Sequence, residues 1–238
     1  PEENIIYFGD TARVPYGTKS ERIIKKFAVE DVKFLLKYNP KLIVIACHTV
    51  SSYASSYLRK KFKGIKFIDV IEPTVEKAVK LTENKKIGVI GTTATISSSR
   101  YQKLFSRYNG ITVYTKDCPL FVPVVEEGWF NNEISYKIAE IYLNELKKKN
   151  IDTLVLGCTH YPYLKRTIQK VMSKNVKIVD ASYEVSLKVK KILNENNLNN
   201  KKNKGRIFLF FSDVSHHVEK AIKFLFGDKV KYKIAKNV

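Results

Sequence analysis

The apolar residues of this chain fall into two alternating patterns. Short runs rich in β-branched and aliphatic residues occupy positions 5–8, 42–46, 87–90, 153–156, 176–179 and 207–211. Unbroken runs of this length fit strands buried on both faces, whereas a strand with one wet face alternates apolar and polar residues. Between most of them the spacing becomes helical: Ile23, Ile24, Phe27, Val32, Leu35 and Leu36 form one stripe, and Ile134, Ile138, Ile141, Tyr142 and Leu146 another. Strand and helix in alternation predict an α/β fold with mainly parallel sheets flanked by helices. At 238 residues the chain can build two such lobes, each with a core of its own.

In folds of this kind chemistry collects where strands end and helices begin, because loops there carry side chains and helix N-termini offer free N–H groups. Two such junctions carry a cysteine. Leu42-Ile43-Val44-Ile45-Ala46 runs into Cys47-His48-Thr49, and Thr153-Leu154-Val155-Leu156-Gly157 into Cys158-Thr159-His160, an internal pseudo-repeat. A third junction, Ile87 onward, leads into Gly91-Thr92-Thr93-Ala94-Thr95, hydroxylic residues that cap helices and can hold carboxylates. A helix dipole and a neighbouring histidine both lower a thiol's pKa from its usual value of about 8.5. The thiolate so formed can be nucleophile, metal ligand or general base, and spacing does not choose among these. An isolated cysteine is more often a small buried hydrophobe. Two in matching contexts, each with His and Thr within two residues, weaken that reading.

Composition trims the alternatives. Lysine and arginine number 43 against 23 aspartates and glutamates, a formal charge of +20, with the excess lysine scattered along the chain. That reads first as a solvated surface. It would also steer a small dicarboxylate toward a cleft, or favour nucleic acid, and so it motivates a non-enzymatic alternative: a basic protein that touches DNA or a DNA-processing partner. Three cysteines without C-x-x-C spacing make neither a disulfide framework nor a zinc ribbon, and point to a reducing cytoplasm. The adjacent His216 and His217 lack cysteine or carboxylate spacing, so no metal is assigned to them. No apolar run nears the roughly 20 residues of a membrane span. Residues 194–205, rich in Asn and Lys, read as a loop, followed by a strand and a terminal helix.

The local strings carry more information than the patterns. Tyr7-Phe8-Gly9-Asp10-Thr11-Ala12-Arg13-Val14-Pro15-Tyr16-Gly17, Ala46-Cys47-His48-Thr49, Ile71-Glu72-Pro73, Gly91-Thr92-Thr93-Ala94-Thr95, Cys118-Pro119-Leu120-Phe121-Val122-Pro123 with Glu126-Glu127-Gly128, and Leu156-Gly157-Cys158-Thr159-His160-Tyr161-Pro162 follow one another in an order that resembles the glutamate racemases. The resemblance implies a cofactor-independent bacterial isomerase acting in the cytoplasm, supplying D-glutamate for peptidoglycan and so for cell-wall biogenesis and cell shape. It implies that Cys47 and Cys158 face opposite sides of the substrate α-carbon, one removing the proton and the other returning one. Glu126 and His160 match the groups that assist the second cysteine. Pro15, Tyr16, Gly17, His48, Thr49, Thr92 and Thr159 match substrate-contacting positions. Cys118 matches no acid/base position and reads as structural. Thr49 and Thr159 as helix caps, and Glu126 as a solvated helix-end charge, are the readings without the resemblance.

The family architecture implies two lobes around a cleft, the first from residues 1–74 plus 184–238 and the second from 75–183, with a homodimer as a further expectation. Aspartate or hydantoin racemases share it and are the nearest enzymatic alternative; the segment from Gly9 to Gly17 favours glutamate. Two departures stand out. The family opens with a strand and an Asp-Ser-Gly-x-Gly-Gly loop whose Asp assists the first cysteine, and nothing here precedes Pro1. An upstream segment is therefore expected. His48 stands where the family usually carries Asn, and is expected to work as a neutral imidazole.

Overall fold

A computed structural model describes residues 2–200, 204–227 and 229–235. In chain order the elements are β1 (Ile5–Gly9), α1 (Glu21–Leu36), β2 (Leu42–Ile45), α2 (His48–Tyr53), α3 (Ser55–Lys61), β3 (Lys66–Asp69), α4 (Ile71–Leu81), β4 (Lys86–Gly91), α5 (Thr93–Ser97), α6 (Arg100–Phe105) and β5 (Thr112–Asp117). There follow α7 (Phe121–Glu126), α8 (Glu133–Lys148), β6 (Thr153–Gly157), α9 (Lys165–Met172), β7 (Lys177–Val179), α10 (Ser182–Glu195), β8 (Ile207–Phe211), α11 (His216–Phe226) and β9 (Tyr232–Ile234). Every strand pairing among the described residues is parallel.

The strands form sheets in the orders β1-β8-β9, β2-β3 and β5-β4-β6-β7. In the four-stranded sheet the period of two sends alternate residues to opposite cores. Ile90, Leu154 and Leu156 join Phe121, Leu143 and Ile168 on one face, while Ile87, Val89 and Val155 join Tyr101, Leu104 and Phe105 on the other. The second of these cores also takes in Ile68, Val70 and Val185, so it glues the sheet to β3 and α10. In the other lobe α1 lays Ile24, Ala28 and Val32, at four-residue steps, against Ile43, Ile45 and Leu58. Burying Ile24 and Val32 there contributes about 1.5–3 kcal/mol each.

Three strands fall outside the sequence expectation: β3, β5 and β9. Each lies at the edge of its sheet. Charged residues shorten the apolar run in each: Lys66 and Asp69 bracket β3, Lys116 and Asp117 close β5 and Lys233 divides β9, although Phe67, Ile68 and Asp69 of β3 are buried. The expected loop at 194–205 begins two residues late, because α10 carries on through Asn194 and Glu195; its residues 201–203 lie outside the described residues. His216 opens α11 and is exposed, and the side chain of His217 lies outside the described residues. No helix among the described residues is long and apolar enough to cross a membrane.

Because the strands are parallel, β2 and β6 deliver the residues that follow their carboxyl ends to the crevice between the lobes. Those residues are Cys47 and Cys158.

Candidate active site

Cys47 is the N-cap of α2, in extended conformation, and its carbonyl accepts from the Ser51 N–H at 2.8 Å. The backbone N–H groups of Thr49 and Val50 favour its thiolate, yet burial outweighs them and pushes the thiol up, with Asp31 adding to the rise. Cys158 sits in a turn rather than at an α-helix start: a 3-10 turn, Tyr161–Leu164, intervenes before α9. Burial pushes its thiol up to about 12, and the charge of Cys47 also raises it. The expected lowering by a helix end and a neighbouring histidine is thus overturned at both cysteines. Removing a thiolate from water costs more than a few N–H dipoles return.

Around Cys158 the expected partners assemble. Its Sγ lies 3.8 Å from His160 Nδ1, and His160 Nε2 lies 3.3 Å from Oε1 of Glu126, the last residue of α7. Around Cys47 the picture differs. His48 is 4% exposed, and neither ring nitrogen has a partner among the described residues. Burial pulls its pKa down to about 4, so the ring is neutral at pH 7 and lends Cys47 no positive charge. It stacks on Tyr101 at 6.5 Å, whose hydroxyl is likewise without a partner.

The threonines tie the lobes together. Thr49 Oγ1 lies 3.0 Å from Thr92 Oγ1 and 3.2 Å from Thr95 Oγ1, and the latter two are 2.9 Å apart. Thr49 is therefore a cross-lobe link rather than the cap of α2, while Thr92 caps α5 by accepting from the Thr95 N–H at 3.2 Å. Gly17 packs onto the same point: a Cβ there would lie 2.8 Å from Thr92 Cβ. Pro15 is exposed and Tyr16 buried, the Tyr16 hydroxyl donating to Asp10 behind the loop. Thr159 is exposed and, with His48, Cys158, Ala46 and Leu156, lines a cavity of about 210 Å³ between the lobes. Cys118 is fully buried and its carbonyl accepts from the Tyr161 hydroxyl at 2.9 Å, as befits a structural residue.

Three side chains near this crevice escaped the sequence reading. Thr95 completes the hydroxyl trio, Asp31 acts on Cys47 from α1, and Tyr7 on β1 lies in the field of Cys47. Asp31 looks like a solvated helix charge and Tyr7 like one more strand aromatic, so neither carried a signal. The Gly-Thr-Thr-Ala-Thr string did contain Thr95.

A crevice that sets a half-buried thiol in the field of a buried one, the latter backed by a histidine and a carboxylate, defines the class of two-thiol racemases. Known proteins narrow it. Residues 1–182 match the Asp/Glu/hydantoin racemase family. A glutamate racemase of Aquifex aeolicus is 42% identical over 238 residues, covering 100% of this chain and 90% of the relative. One from Sulfurihydrogenibium is 46% identical over 230 residues, covering 96% and 86%. The crystal structure of the Francisella tularensis glutamate racemase in complex with D-glutamate superposes with a TM-score of 0.92 at 37% identity, covering 99% of this chain and 89% of that one. The chain belongs to the Asp/Glu/hydantoin racemase family, on its glutamate racemase branch.

Proposed function

We propose that the chain interconverts L- and D-glutamate by passing the α-proton between Cys47 and Cys158, in a bacterial cytoplasm where D-glutamate feeds peptidoglycan synthesis. The observation that carries this reading is the pair of thiols at the ends of β2 and β6, close enough for the charge of one to raise the other. One base on one face would tend to return the proton with retention. Two thiols on opposite faces invert the centre, and reversing the reaction exchanges their roles.

Burial holds both thiols neutral near pH 7, so one must lose its proton before it can act. Cys158 has the acceptor at hand: its proton passes from Sγ to Nδ1 of His160, and the Glu126 carboxylate stabilises the imidazolium. The Cys158 thiolate then takes the α-proton while the Cys47 thiol gives its own to the other face. The α-hydrogen of an amino acid is very weakly acidic, so donors aimed at the carboxylates must hold the developing charge. Thr49, Thr92 and Thr159, with the backbone N–H groups of residues 16 and 17, supply them, and closure of the crevice excludes water. Neutral His48 takes the ammonium as an acceptor, as an Asn carbonyl would.

The test is incubation of each enantiomer of glutamate with the chain in deuterium oxide, following α-proton exchange and optical rotation. Exchange with inversion is expected, and Cys47→Ser and Cys158→Ser are each expected to lose about 100-fold or more. Racemisation that survives both substitutions would sink the two-thiol reading. Inversion of aspartate in preference to glutamate would redirect the substrate assignment.

A further inference from the structure

The densest group of ionisable side chains outside the residues already given roles lies directly behind the 15–17 loop. Arg13 is its one cation. The Arg13 Nε donates to both carboxylate oxygens of Asp10, at 2.8 and 2.7 Å, Nη2 donates to Asp31 at 2.8 Å, and Nη1 donates to Glu30. The guanidinium also lies 4.3 Å from the centroid of the Phe27 ring. Tyr16 closes the group: its hydroxyl donates to Asp10 and is 3.4 Å from Asp31 Oδ2. The Asp10 and Asp31 side chains are only 7% and 21% exposed.

One guanidinium cannot neutralise three carboxylates in a poorly solvated pocket. Charge balance favours a proton on one of them, and Asp31 is the place for it: burial pushes it up to about 7, Asp10 adding to the rise while Arg13 opposes it. The groups that face Asp31 are Asp10, Arg13 and Tyr16 from the segment after β1, Glu30 on its own helix, and Cys47 from the β2–α2 junction. Cys47 packs against the apolar core that Tyr16 and, on α1, Ala28 and Val32 help to form, so the loop and helix that carry the cluster also wall the thiol, and through it the cluster reaches the chemistry.

We propose that Asp31 is a positioning residue for the Cys47 half of the crevice, ionised Asp31 fixing Arg13 and Tyr16 and opposing a thiolate at Cys47, protonated Asp31 lifting that opposition. The inference rests on the acid/base role proposed for Cys47. It makes the acidity of that thiol depend on a carboxyl group that touches neither substrate nor sulfur.

The experiment measures the rate of Cys47 alkylation by iodoacetamide against pH on the full chain, read by mass spectrometry of the peptide that carries it. In Asp31→Asn the reaction at pH 8 is expected to be about 3- to 10-fold faster than in the parent, while Asp31→Glu keeps the parent profile and Cys158 alkylation stays unmoved. A general loosening of the fold would speed both cysteines. An Asp31→Asn profile that superimposes on the parent overturns the proposal. Should that variant not fold, the parent chain answers alone: the logarithm of the Cys47 rate climbs with a slope below one between about pH 6 and 8, as Asp31 ionises. Unit slope through that window overturns the proposal equally. An unaltered chain that fails to racemise glutamate would remove the functional reading and leave this thiol titration intact, so the two failures are distinguishable.

Discussion

Burial moves the titrations of His48 and Asp31 in opposite senses because the neutral form is the unprotonated one for histidine and the protonated one for aspartate. The folded state holds His48 at about 4, below the unfolded value near 6.5, so it binds that proton less readily than the unfolded chain. Stability from His48 is therefore present above about pH 6.5 and lost as pH falls toward 4. Asp31, held at about 7, runs the other way: its contribution is present below about pH 4 and lost as pH rises through 7. Melting temperatures measured from pH 5 to 8 separate the two. His48→Asn is expected to gain on the parent at pH 5 relative to pH 8, by at most about 3 kcal/mol, and Asp31→Asn to gain at pH 8 relative to pH 5. If His48→Asn tracks the parent at every pH, the imidazole is solvated and the neutral-acceptor role falls with it. Little of this was legible beforehand. The string Ala46-Cys47-His48-Thr49 announces a thiol with a basic neighbour, but whether that neighbour carries charge depends on how deeply the fold buries it.

At the scale of elements, the link between lobes runs through Gly17, Thr49, Thr92 and Thr95. Gly17 needs no special backbone angle; it is required because a methyl group would press on Thr92 at 2.8 Å and on its Cγ2 at 2.9 Å. Gly17→Ala is expected to push the 15–17 loop off the α5 N-terminus and raise KM for glutamate about tenfold, with a smaller effect on kcat; an unchanged KM would show that the loop does not hold substrate. Thr49→Val removes one hydroxyl of three, while Thr92 and Thr95 keep each other satisfied at 2.9 Å. Its stability cost is accordingly near 1 kcal/mol, at the low end for a buried hydrogen bond, and a loss of several kcal/mol by denaturant titration would contradict the trio. The central strands β4 and β6 were readable because burial on both faces writes itself into the sequence, and the two long helices because their apolar spacing is helical, although α8 buries Ser135, Ala139, Leu143 and Leu146 and leaves Ile134 and Ile141 of the expected stripe exposed. For α8 the Asn132 and Ser135 capping box also fixes the start. Edge strands β3, β5 and β9 were not readable, since charged residues cut each apolar run short, and the Thr49 link was not, since a hydroxyl paired across lobes looks the same in sequence as one that caps a helix.

Over the whole molecule, two of the contacts between the lobes differ sharply in size. One contact is the shared core of Ile68, Val70 and Val185 against Val89 and Val155, continued by the threonine trio; it is buried and largely apolar. The other is small and aromatic. Helix α11 is anchored to the first lobe by Ile222, in a core with Leu209 and Phe211, and from it Phe224 reaches Phe130 and Tyr163 of the second lobe at 6.3 Å each, though it remains 69% exposed. A hinge at the first contact would open the crevice by parting the second. Aromatic pairs of this kind contribute about 0.5–1.5 kcal/mol, enough to shift an open–closed equilibrium by up to about tenfold and too little to govern folding. Phe224→Ala is thus expected to leave the melting temperature within a degree or two and to raise KM for glutamate by about 3- to 10-fold at nearly constant kcat, because the closed form binds and its share has dropped. Amide exchange should quicken in the Tyr161–Leu164 turn and in residues 129–131 while the β4 and β6 amides stay protected. A Phe224→Ala protein with the parent's KM and exchange pattern would mean that the aromatic contact is incidental and that the shared core alone sets how far the lobes part.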